Sequence, residues 1–289
     1  MNKDLTLVFS SYQSQLLLKK ILEKFHKRYR VIIIENSLDQ NIKETLEKKF
    51  KNVEVIIPNE NLGLAKSYNL GIKKSKTKFV FLNNPDMSIT NQSIVDLLFC
   101  AKKIKNFGAI SPVFQDERRY KNYEIFKRKK TTRLKLFKKF KIIEVDLLDN
   151  NFLINKKNIK KKLFDEKFLF FFETLDFTKC LQNSGKKLYA VKKIKFNHFG
   201  ASSLPKKYTN LVQKTRAFHY NWSKFYYLRK HYSYFYAFRK VVPSIIRALK
   251  KMLINIFKFD LRGVQMNCLE LFGIFTAIFL GKSFFRPKN

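Results

Sequence analysis

Cysteine is scarce in this chain of 289 residues. Cys100, Cys180 and Cys268 are odd in number, widely separated and outside any CxxC spacing. This arrangement indicates neither a disulfide framework nor a structural zinc site. We therefore expect a protein of a reducing compartment, the cytoplasm.

Signals for export and for membrane insertion are also missing. The first residues, MNKDLTLVFSS, lead directly into a strand-like segment, without the basic region and the apolar region of a secretory signal. No stretch reaches the roughly 18 to 20 apolar residues that a membrane-spanning helix needs. We expect any contact of the chain with a membrane to be peripheral.

Acidic residues are few, with 22 Asp and Glu against 60 Lys and Arg, so that the formal net charge is +38. Such a charge attracts nucleic acid, anionic lipid or polyphosphate substrates, and its sign alone does not separate the three. The sequence has no RNP-type strand motif, zinc spacing or recognisable helix-turn-helix. A basic nucleic-acid-binding protein is an alternative interpretation, but it leaves the motifs described below unexplained. We expect no nucleic-acid partner.

GxGxxG and Walker motifs are absent too, so dinucleotide-binding and P-loop proteins lack their main support. What the sequence does contain is apolar and aromatic residues, at 45% and 16% of the chain. This composition and length allow one full α/β core followed by a helical appendage. We place the core domain at residues 1–205 and the helical tail at 206–289.

Short β-branched or aromatic runs alternate with segments of helical spacing in the first half of the chain. The runs cover residues 5–10, 31–36, 53–57 and 79–83, and further strands are predicted at 108–114 and 188–196. Strands that alternate with helices predict right-handed βαβ units on a mainly parallel sheet. The first half is therefore predicted to be a doubly wound α/β fold.

Polar residues follow these predicted strands at the point where each strand ends. Ser10 ends the first run, Glu35 and Asn36 the second, and Asn84 and Asp86 follow the fourth. Ligands of doubly wound sheets bind outside the carboxyl ends of the strands. We expect these side chains to line one ligand site.

Residues 117–141 are heavily basic and carry few strand signals. Such charge runs are usually solvated, so we expect a mobile excursion; the alternative is a lid or a contact to lipid phosphates. Regular structure is predicted to resume at 142–157, and a helix is predicted near 173–183, ending at Gly185.

The tail has Asp260 and Glu270 as its acids and carries an amphipathic pattern between 241 and 258. One helical side holds Val242, Ile245, Ile246, Leu249, Met252, Leu253, Ile256 and Phe257, and another holds Lys240, Arg247, Lys251 and Lys258. This pattern is typical of an interfacial helix on an anionic membrane. A helix packed on its own domain gives the same pattern.

Two segments carry the most specific pattern, NENLGLAKSYNLGI at 59–72 and LNNPDM at 82–87. Alone, the first could be a helix start at which Gly63 lets the backbone approach a ligand, with Asn61 or Asn69 as caps. The second could be a turn built on Pro85. Together and in this order, after two βα units, they resemble the family-two glycosyltransferases of the GT-A fold. The resemblance is closest to the bacterial rhamnosyltransferase-like branch and extends over nearly the whole chain.

The resemblance implies a binding site for a nucleotide-sugar donor. FSSYQS at 9–14 is similar to the family's opening strand and turn, and IENSLD at 34–39 to its second-strand motif, with Glu35 where the family usually has Asp. In family members these regions and the asparagine-glycine segment hold the nucleotide and its diphosphate. The implied donor-binding residues are Ser10, Glu35, Asn36, Asn61, Gly63, Asn69 and Asn84.

Asn84-Pro85-Asp86 resembles the family's version of the DxD motif, whose last Asp binds a divalent cation. A departing nucleoside diphosphate develops negative charge that Mg²⁺ or Mn²⁺ neutralises. With one carboxylate in the triplet, Asp86 is expected to hold the cation weakly and together with the diphosphate. FNHFGAS at 196–202 resembles the family's His motif, so His198 is a second candidate ligand of metal or diphosphate; a lone histidine is more often structural.

The segment LFDEKFLFFFETLDFTKCLQNSG at 163–185 resembles the family's aromatic-rich approach to an E-D-x-D helix start. Glu173 and Asp176 match its first and last acidic positions, whereas Thr174 stands where the family most often has its general base. An inverting transfer needs a carboxylate that takes the proton of the acceptor hydroxyl. At a helix N-terminus the dipole favours ionised carboxylates, and Glu173, with the longer side chain, is the favoured base. In isolation both would be ordinary capping acids.

The tail resembles the same branch in RAFHYNWSKFYYLRKH at 216–231 and in the ending GKSFFRP, where helix packing is the alternative role. The whole pattern predicts an inverting glycosyltransferase of surface polysaccharide synthesis, with a nucleotide-sugar donor, a lipid-linked glycan acceptor and Mg²⁺ or Mn²⁺. The expected location is the cytoplasmic face of the cell membrane, on anionic lipid. A catalytically degenerate scaffold is a further alternative, because Thr174 and Glu35 depart from the family pattern.

Overall fold

The computed structural model describes residues 2–117, 120–126, 139–159, 163–198 and 208–286. Most of the basic segment predicted at 117–141 lies outside these ranges, and so does the predicted domain boundary at residue 205. The chain divides into two compact units. The first holds residues 1–62, 66–164 and 174–204, and the second holds residues 63–65, 165–173 and 205–289.

Strands and helices follow one another in the predicted order up to residue 198. The strands are β1 (Leu5–Ser11), β2 (Arg30–Glu35), β3 (Val53–Ile56), β4 (Phe79–Asn83), β5 (Met87–Ser88), β6 (Phe107–Phe114), β7 (Tyr123–Glu124), β8 (Ile142–Val145), β9 (Leu147–Leu148), β10 (Phe152–Asn155) and β11 (Lys187–His198). The helices are α1 (Gln15–Phe25), α2 (Gln40–Lys49), α3 (Gly63–Lys74), α4 (Asn91–Lys103), α5 (Lys156–Ile159) and α6 (Glu173–Asn183). The predicted strands and the predicted helix at 173–183 are confirmed.

Within the described residues, nine strands form one mixed sheet in the order β3-β2-β1-β4-β10-β6-β11-β5, with β8 beside β11. β1 is parallel to β2 and β4, β2 to β3, and β6 to β11. β10 is antiparallel to both of its neighbours, β4 and β6. The mainly parallel, doubly wound fold is confirmed, and β10 is a reversed strand that the sequence did not predict, because an apolar run carries no strand direction.

The core of the first unit covers both faces of this sheet. All four residues from Val31 to Ile34 in β2 are fully buried, as expected for a parallel strand between two layers of helices. Aromatic rings extend the core: Phe152 stacks on Phe177, and the rings of Phe164 and Phe177 stack with 4.1 Å between centroids. The packed sheet holds the carboxyl ends of β1, β2 and β4 at one edge.

Three long helices make up most of the second unit: α7 (Thr209–His231), α8 (Tyr234–Phe257) and α9 (Leu261–Ile278). Each of them packs against the other two. α7 and α9 approach closely at Gly273, where an added Cβ would lie 2.3 Å from the carbonyl oxygen of Phe218. Among the described residues, no helix combines the length and the apolar character that crossing a bilayer requires.

The last described residues, 281–286, pack along α7. Trp222 Nε1 donates to the carbonyl oxygen of Gly281 at 3.0 Å. His219 Nε2 contacts the carbonyl oxygen of Phe285, and because a carbonyl only accepts, this nitrogen carries the proton. His219 Nδ1 then accepts from the Ser283 hydroxyl at 2.9 Å. The two tail segments singled out in the sequence therefore pack against each other.

Candidate active site

Asn36, directly after β2, ties together three segments at the carboxyl edge of the sheet. Its Nδ2 lies 3.2 Å from Oγ of Ser10, 3.2 Å from the carbonyl oxygen of Ser11 and 3.1 Å from Oγ of Ser67. Its Oδ1 accepts a hydrogen bond from the Leu62 N–H at 2.9 Å. The Asn36 side chain is buried, so its observed contacts position the end of β1 and the start of α3.

Glu35, the last residue of β2, has a fully buried side chain. Its Oε1 accepts hydrogen bonds from the N–H groups of Gln13, at 3.0 Å, and Ser37, at 3.1 Å. Its Oε2 is buried and has no hydrogen-bond partner among the described residues. A buried carboxylate oxygen without a partner is costly, so this atom has the capacity to accept an N–H or O–H of a ligand.

Helix α3 begins at Gly63, whose φ of +66° lies in the left-handed region. An added Cβ would lie 2.4 Å from the carbonyl oxygen of Leu169, and the same oxygen accepts the Leu64 N–H at 2.9 Å. The close approach of these two backbone segments therefore requires glycine at position 63.

Asn61 and Asn69, the two asparagines predicted to bind the donor around α3, are both buried. The Asn69 Nδ2 donates to the carbonyl oxygen of Phe164 at 3.0 Å, and its Oδ1 accepts the Phe164 N–H at 2.9 Å. This pair of hydrogen bonds has the form of a β-ladder contact. It holds the segment after α5 against α3, which is a structural contact of a residue predicted to bind the ligand.

Asn84-Pro85-Asp86 forms a turn at the end of β4, closed by a hydrogen bond of 3.1 Å from the Met87 N–H to the Asn84 carbonyl. The Tyr68 hydroxyl on α3 donates to Asn84 Oδ1 at 2.8 Å, which fixes the Asn84 amide. β5 pairs with β11 so that Met87 is opposite His198. The backbone therefore places His198 beside the residue that follows Asp86; its side chain lies outside the described part of the chain.

The turn after β4 fits a divalent cation. Asp86 is partly exposed and supplies a carboxylate, the ligand type that Mg²⁺ and Mn²⁺ prefer. Because the turn contains one carboxylate, most of the coordination shell is left to a ligand's phosphate oxygens and to water. The arrangement suits a cation that arrives with a diphosphate.

Helix α6 begins with the predicted catalytic carboxylates. Glu173 and Asp176 lie in its first turn and expose 4% and 1% of their surface. The preceding residues Phe171 and Phe172 have φ values of +68° and +64°, a conformation that residues with a Cβ seldom adopt. Strain of this kind persists only where the surrounding structure enforces it, and it is enriched at functional sites.

Between these carboxylates, Thr174 makes a hydrogen bond that the sequence did not predict. Its hydroxyl donates to Oδ1 of Asp149, in the loop between β9 and β10. Burial raises the pKa of the Asp149 carboxyl, and the negative charge of Glu124 adds to the rise, while hydrogen bonds from the Thr174 hydroxyl and the Asn150 backbone oppose it. A carboxylate therefore lies one hydrogen bond from the position where the family resemblance expects a base.

Sequence reasoning missed Asp149 and Tyr68. Asp149 follows the apolar pair of β9 as the other candidate residues follow their strands, but two apolar residues are too short a run to identify a strand. Tyr68 lies inside the asparagine-glycine segment, where its spacing is that of an ordinary core position. Its contact with Asn84 becomes visible only in the folded chain.

Similarity to known proteins agrees with this geometry. The family model described as Glycosyl transferase family 2 matches residues 14–162, just over half of the chain. No curated protein sequence is significantly similar to the chain. The match covers the ends of β2 and β4, the asparagine-glycine segment and the Asn84-Pro85-Asp86 turn, whereas the end of β1 and helix α6 lie outside it.

Solved structures share the fold. GalNAc-T7 with UDP, GalNAc and Mn²⁺ superposes with a TM-score of 0.57 at 13% identity, over 80% of this chain and 52% of that chain, so the present chain spans about half its length. The mannosyltransferase PcManGT from Pyrobaculum calidifontis, in complex with GDP-Man and Mn²⁺, gives 0.54 at 10% identity, over 96% of this chain and 88% of its own. S. aureus TarS gives 0.51 at 14% identity, over 80% and 44%.

At these identities the structural likeness speaks for the fold alone, and it confirms the predicted GT-A arrangement of a mainly parallel sheet with helices on both faces. The rhamnosyltransferase-like branch stays a prediction. The family match, the sheet order and the residues gathered at the carboxyl edge of the sheet lead to one conclusion: the chain belongs to glycosyl transferase family 2.

Proposed function

We propose that this protein is an inverting glycosyltransferase that moves a sugar from a nucleotide-sugar donor to a saccharide acceptor carried on a lipid. The observation that carries the proposal is the set of polar groups at the carboxyl ends of β2 and β4. Glu35 there has a buried oxygen that finds no hydrogen-bond partner in the described part of the chain, and the Asp86 turn supplies a carboxylate suited to a cation. A nucleotide offers N–H and O–H groups that could donate to Glu35, and a diphosphate brings a cation that Asp86 could bind.

The roles of the donor-site residues follow from their contacts. Glu35 would accept a hydrogen bond from the nucleotide, and Asn84 would act at the diphosphate, with its amide oriented by Tyr68. Asn36, Asn61, Gly63 and Asn69 would shape the site by fixing β1 and α3. Ser10, held by Asn36, lies at the same edge of the sheet.

A divalent cation, Mn²⁺ or Mg²⁺, would be held by Asp86 with His198 as a second candidate ligand. When bound, the cation neutralises the charge that develops on the departing diphosphate. GalNAc-T7 and PcManGT were both solved with Mn²⁺, which supports this choice of cofactor.

Transfer with inversion needs an acceptor oxygen that attacks C1 of the sugar from the side opposite the diphosphate. A carboxylate must take the proton of that oxygen. We propose Glu173 and Asp176, at the N-terminus of α6, as the carboxylates of this acceptor site, because the helix dipole there favours their ionised form.

Attachment to a membrane is part of the proposal, because α8 exposes large apolar residues. Its buried face carries small side chains, Ala237, Val241, Ser244 and Ala248, whereas Ile246, Leu249, Leu253 and Ile256 lie on an exposed stripe. The stripe runs into residues 257–261, which we call the α8–α9 tip.

At this tip, Phe257, Phe259 and Leu261 are 83%, 90% and 83% exposed. The exposed basic residues Lys250, Lys251, Lys258 and Arg262 flank it. A protein surface rarely leaves so many large apolar side chains in water without a function. Apolar residues beside basic ones match the interface of an anionic bilayer, where a lipid-linked acceptor would be found.

A catalytically degenerate scaffold is the second candidate, favoured by Thr174 at the family's usual base position. Release of nucleoside diphosphate by the purified full chain separates the two. The test combines MnCl₂ with four donors: UDP-glucose, UDP-N-acetylglucosamine, GDP-mannose and dTDP-rhamnose. We expect turnover with one of them, by slow transfer to water if no acceptor is present. No turnover with any donor would contradict the proposal.

Asp86→Ala is the informative variant in this assay. It should abolish Mn²⁺-dependent donor binding, measured by calorimetry, and leave the thermal unfolding temperature near that of the wild type, because Asp86 lies in a turn and not in the core. Asp4→Ala is the matched control, since Asp4 precedes β1 at the opposite, amino end of the strands. Unchanged Mn²⁺-dependent affinity in Asp86→Ala would show that another group holds the cation.

A further inference from the structure

At the position where the family resemblance expects the general base, this chain has Thr174, which does not ionise near neutral pH, and the sequence alone therefore favoured Glu173 for that role. We propose that Asp149 takes the proton from the acceptor hydroxyl, and that Thr174 holds the Asp149 carboxylate in place. The inference rests on the proposed function, and it gives the role of base to the loop between β9 and β10. Glu173 and Asp176 then contribute to the electrostatic field around the acceptor.

The position of Asp149 is set by α6. Thr174 Oγ1 donates to Asp149 Oδ1, which places this carboxylate next to the first turn of the helix. An ionised carboxyl group has about four lone-pair sites. The hydrogen bonds from Thr174 and from the Asn150 backbone therefore leave capacity for the acceptor hydroxyl.

Exposure distinguishes Asp149 from the two carboxylates on α6. Glu173 and Asp176 expose 4% and 1% of their surface, whereas Asp149 is partly exposed. A general base must come within hydrogen-bond distance of the acceptor oxygen, and of these three residues Asp149 has the largest exposed share of its surface. Burial raises the pKa of the Asp149 carboxyl, and a carboxylate with a raised pKa binds a proton more strongly.

The acceptor oxygen forms a bond to C1 of the sugar, and the bond between C1 and the diphosphate oxygen breaks. The electron pair of the broken bond leaves with the nucleoside diphosphate. The acceptor's proton passes to the Asp149 carboxylate, which later releases it to solvent.

The competing explanation is that the Thr174–Asp149 hydrogen bond only fastens α6 to β9. One turn later, Thr178 makes a bond of that kind, from its hydroxyl to the carbonyl oxygen of Leu148 at 2.9 Å. Thr178→Val removes a fastening bond on the same helix face without touching a carboxylate. It is therefore the matched control for a structural role.

The test uses the full chain, MnCl₂ and the donor of the four-member panel that wild type turns over fastest, with release of nucleoside diphosphate as the readout. Asp149→Asn keeps an oxygen for the Thr174 hydroxyl, so the fold is preserved while the base is lost. We expect turnover to fall on the order of 10² to 10⁴-fold, with the calorimetric affinity for the donor unchanged. Glu173→Gln and Asp176→Asn should lose less than Asp149→Asn.

Two rescue experiments on Asp149→Asn distinguish a general base from a residue with a purely structural role. Azide is an anionic nucleophile with no proton to give up, so it should restore diphosphate release by Asp149→Asn and yield a glycosyl azide, detected by mass spectrometry. The double variant Thr174→Asp/Asp149→Asn returns a carboxylate on the other side of the same hydrogen bond. It should regain turnover by up to about 10²-fold, the lower end of the range for general-base catalysis.

Wild-type-like turnover of Asp149→Asn would overturn the inference, and so would a loss that Thr178→Val reproduces or that azide does not relieve. If Glu173→Gln is inactive while Asp149→Asn is active, the base is Glu173. These outcomes all require an active wild type. A wild type that releases no diphosphate from any donor refutes the proposed function itself, and the inference with it.

Discussion

Near the start of α3, we expect an added methyl group to reduce stability most at Gly63. Its φ is +66°, and an added Cβ would lie 2.4 Å from the carbonyl oxygen of Leu169. Gly63→Ala therefore combines backbone strain with steric overlap. We expect the free energy of unfolding to fall by about 2 to 4 kcal/mol, measured by urea denaturation.

Gly185, after α6, is the matched control for this variant. Its φ is +77°, but nothing lies within 4 Å of the Cβ that alanine would add. Gly185→Ala should therefore show backbone strain alone, about 1 to 2 kcal/mol. If the two variants lose the same stability, the contact with Leu169 does not account for glycine at position 63.

At the scale of elements, α7 carries a buried histidine that makes its packing sensitive to acid. The pKa of His219 is lowered from 6.5 to about 4, mainly by burial; the charge of Arg286 adds to the change and the hydrogen bond to Phe285 opposes it. The unfolded chain therefore binds this proton at a higher pH than the folded chain. The stability from neutral His219 is fully present above pH 6.5 and is lost as the pH falls towards 4.

The expected loss is at most about 1.4 kcal/mol of unfolding free energy per pH unit in that window. Urea denaturation at several pH values between about 5 and 7 measures the slope. His219→Gln should be less stable at neutral pH but should show a flatter slope. An unchanged slope in His219→Gln would assign the acid sensitivity to another group.

The predictability of an element from the sequence depended on its length. The runs that became β1, β2, β4 and β6 span five to eight residues with nearly every residue buried, so their apolar character stands out against polar ends. β5, β7 and β9 have two residues each, and a pair of residues has no periodicity to detect. The antiparallel direction of β10 is set by the strands with which it pairs, and the local sequence does not identify those strands.

The candidate site was predictable where it follows from strand ends and not where it follows from contacts distant in sequence. Glu35, Asn36 and Asp86 could be placed at the carboxyl edge because parallel strands bring their ends together. The hydrogen bonds of Asn69 to Phe164 join residues 95 apart, and that of Thr174 to Asp149 joins residues 25 apart. Such contacts exist only after folding, so spacing in the sequence could not reveal them.

At the scale of the whole molecule, the net charge of +38 and the apolar α8–α9 tip should act together at a lipid surface. Electrostatic attraction to anionic lipid is screened by salt, because the Debye length falls from about 10 Å at 0.1 M to about 3 Å at 1 M. We expect the full chain to co-sediment with vesicles of phosphatidylcholine and phosphatidylglycerol at low salt, and less at high salt. Vesicles of phosphatidylcholine alone should bind it weakly.

Removal of the apolar side chains of the α8–α9 tip tests their contribution to membrane binding. The combined variant Phe257→Ser/Phe259→Ser/Leu261→Ser should sediment less than wild type at every salt concentration, because burial of large side chains stabilises the bound state. The control variant Leu16→Ser/Val95→Ser/Phe99→Ser removes three exposed apolar side chains of the first unit. Equal, salt-insensitive sedimentation of all three proteins would contradict membrane attachment through the tip.

In a saturation-mutagenesis screen scored by activity, Asn36 is expected to look like a catalytic residue. Its amide uses both protons and its oxygen on Ser10, Ser11, Ser67 and Leu62, so aspartate lacks the protons and glutamine is one carbon too long. Every substitution there would displace the loop ends at the proposed donor site. Excess substrate would not restore the lost turnover. The screen would therefore score Asn36 as a catalytic residue, although its role is to hold neighbouring segments in position.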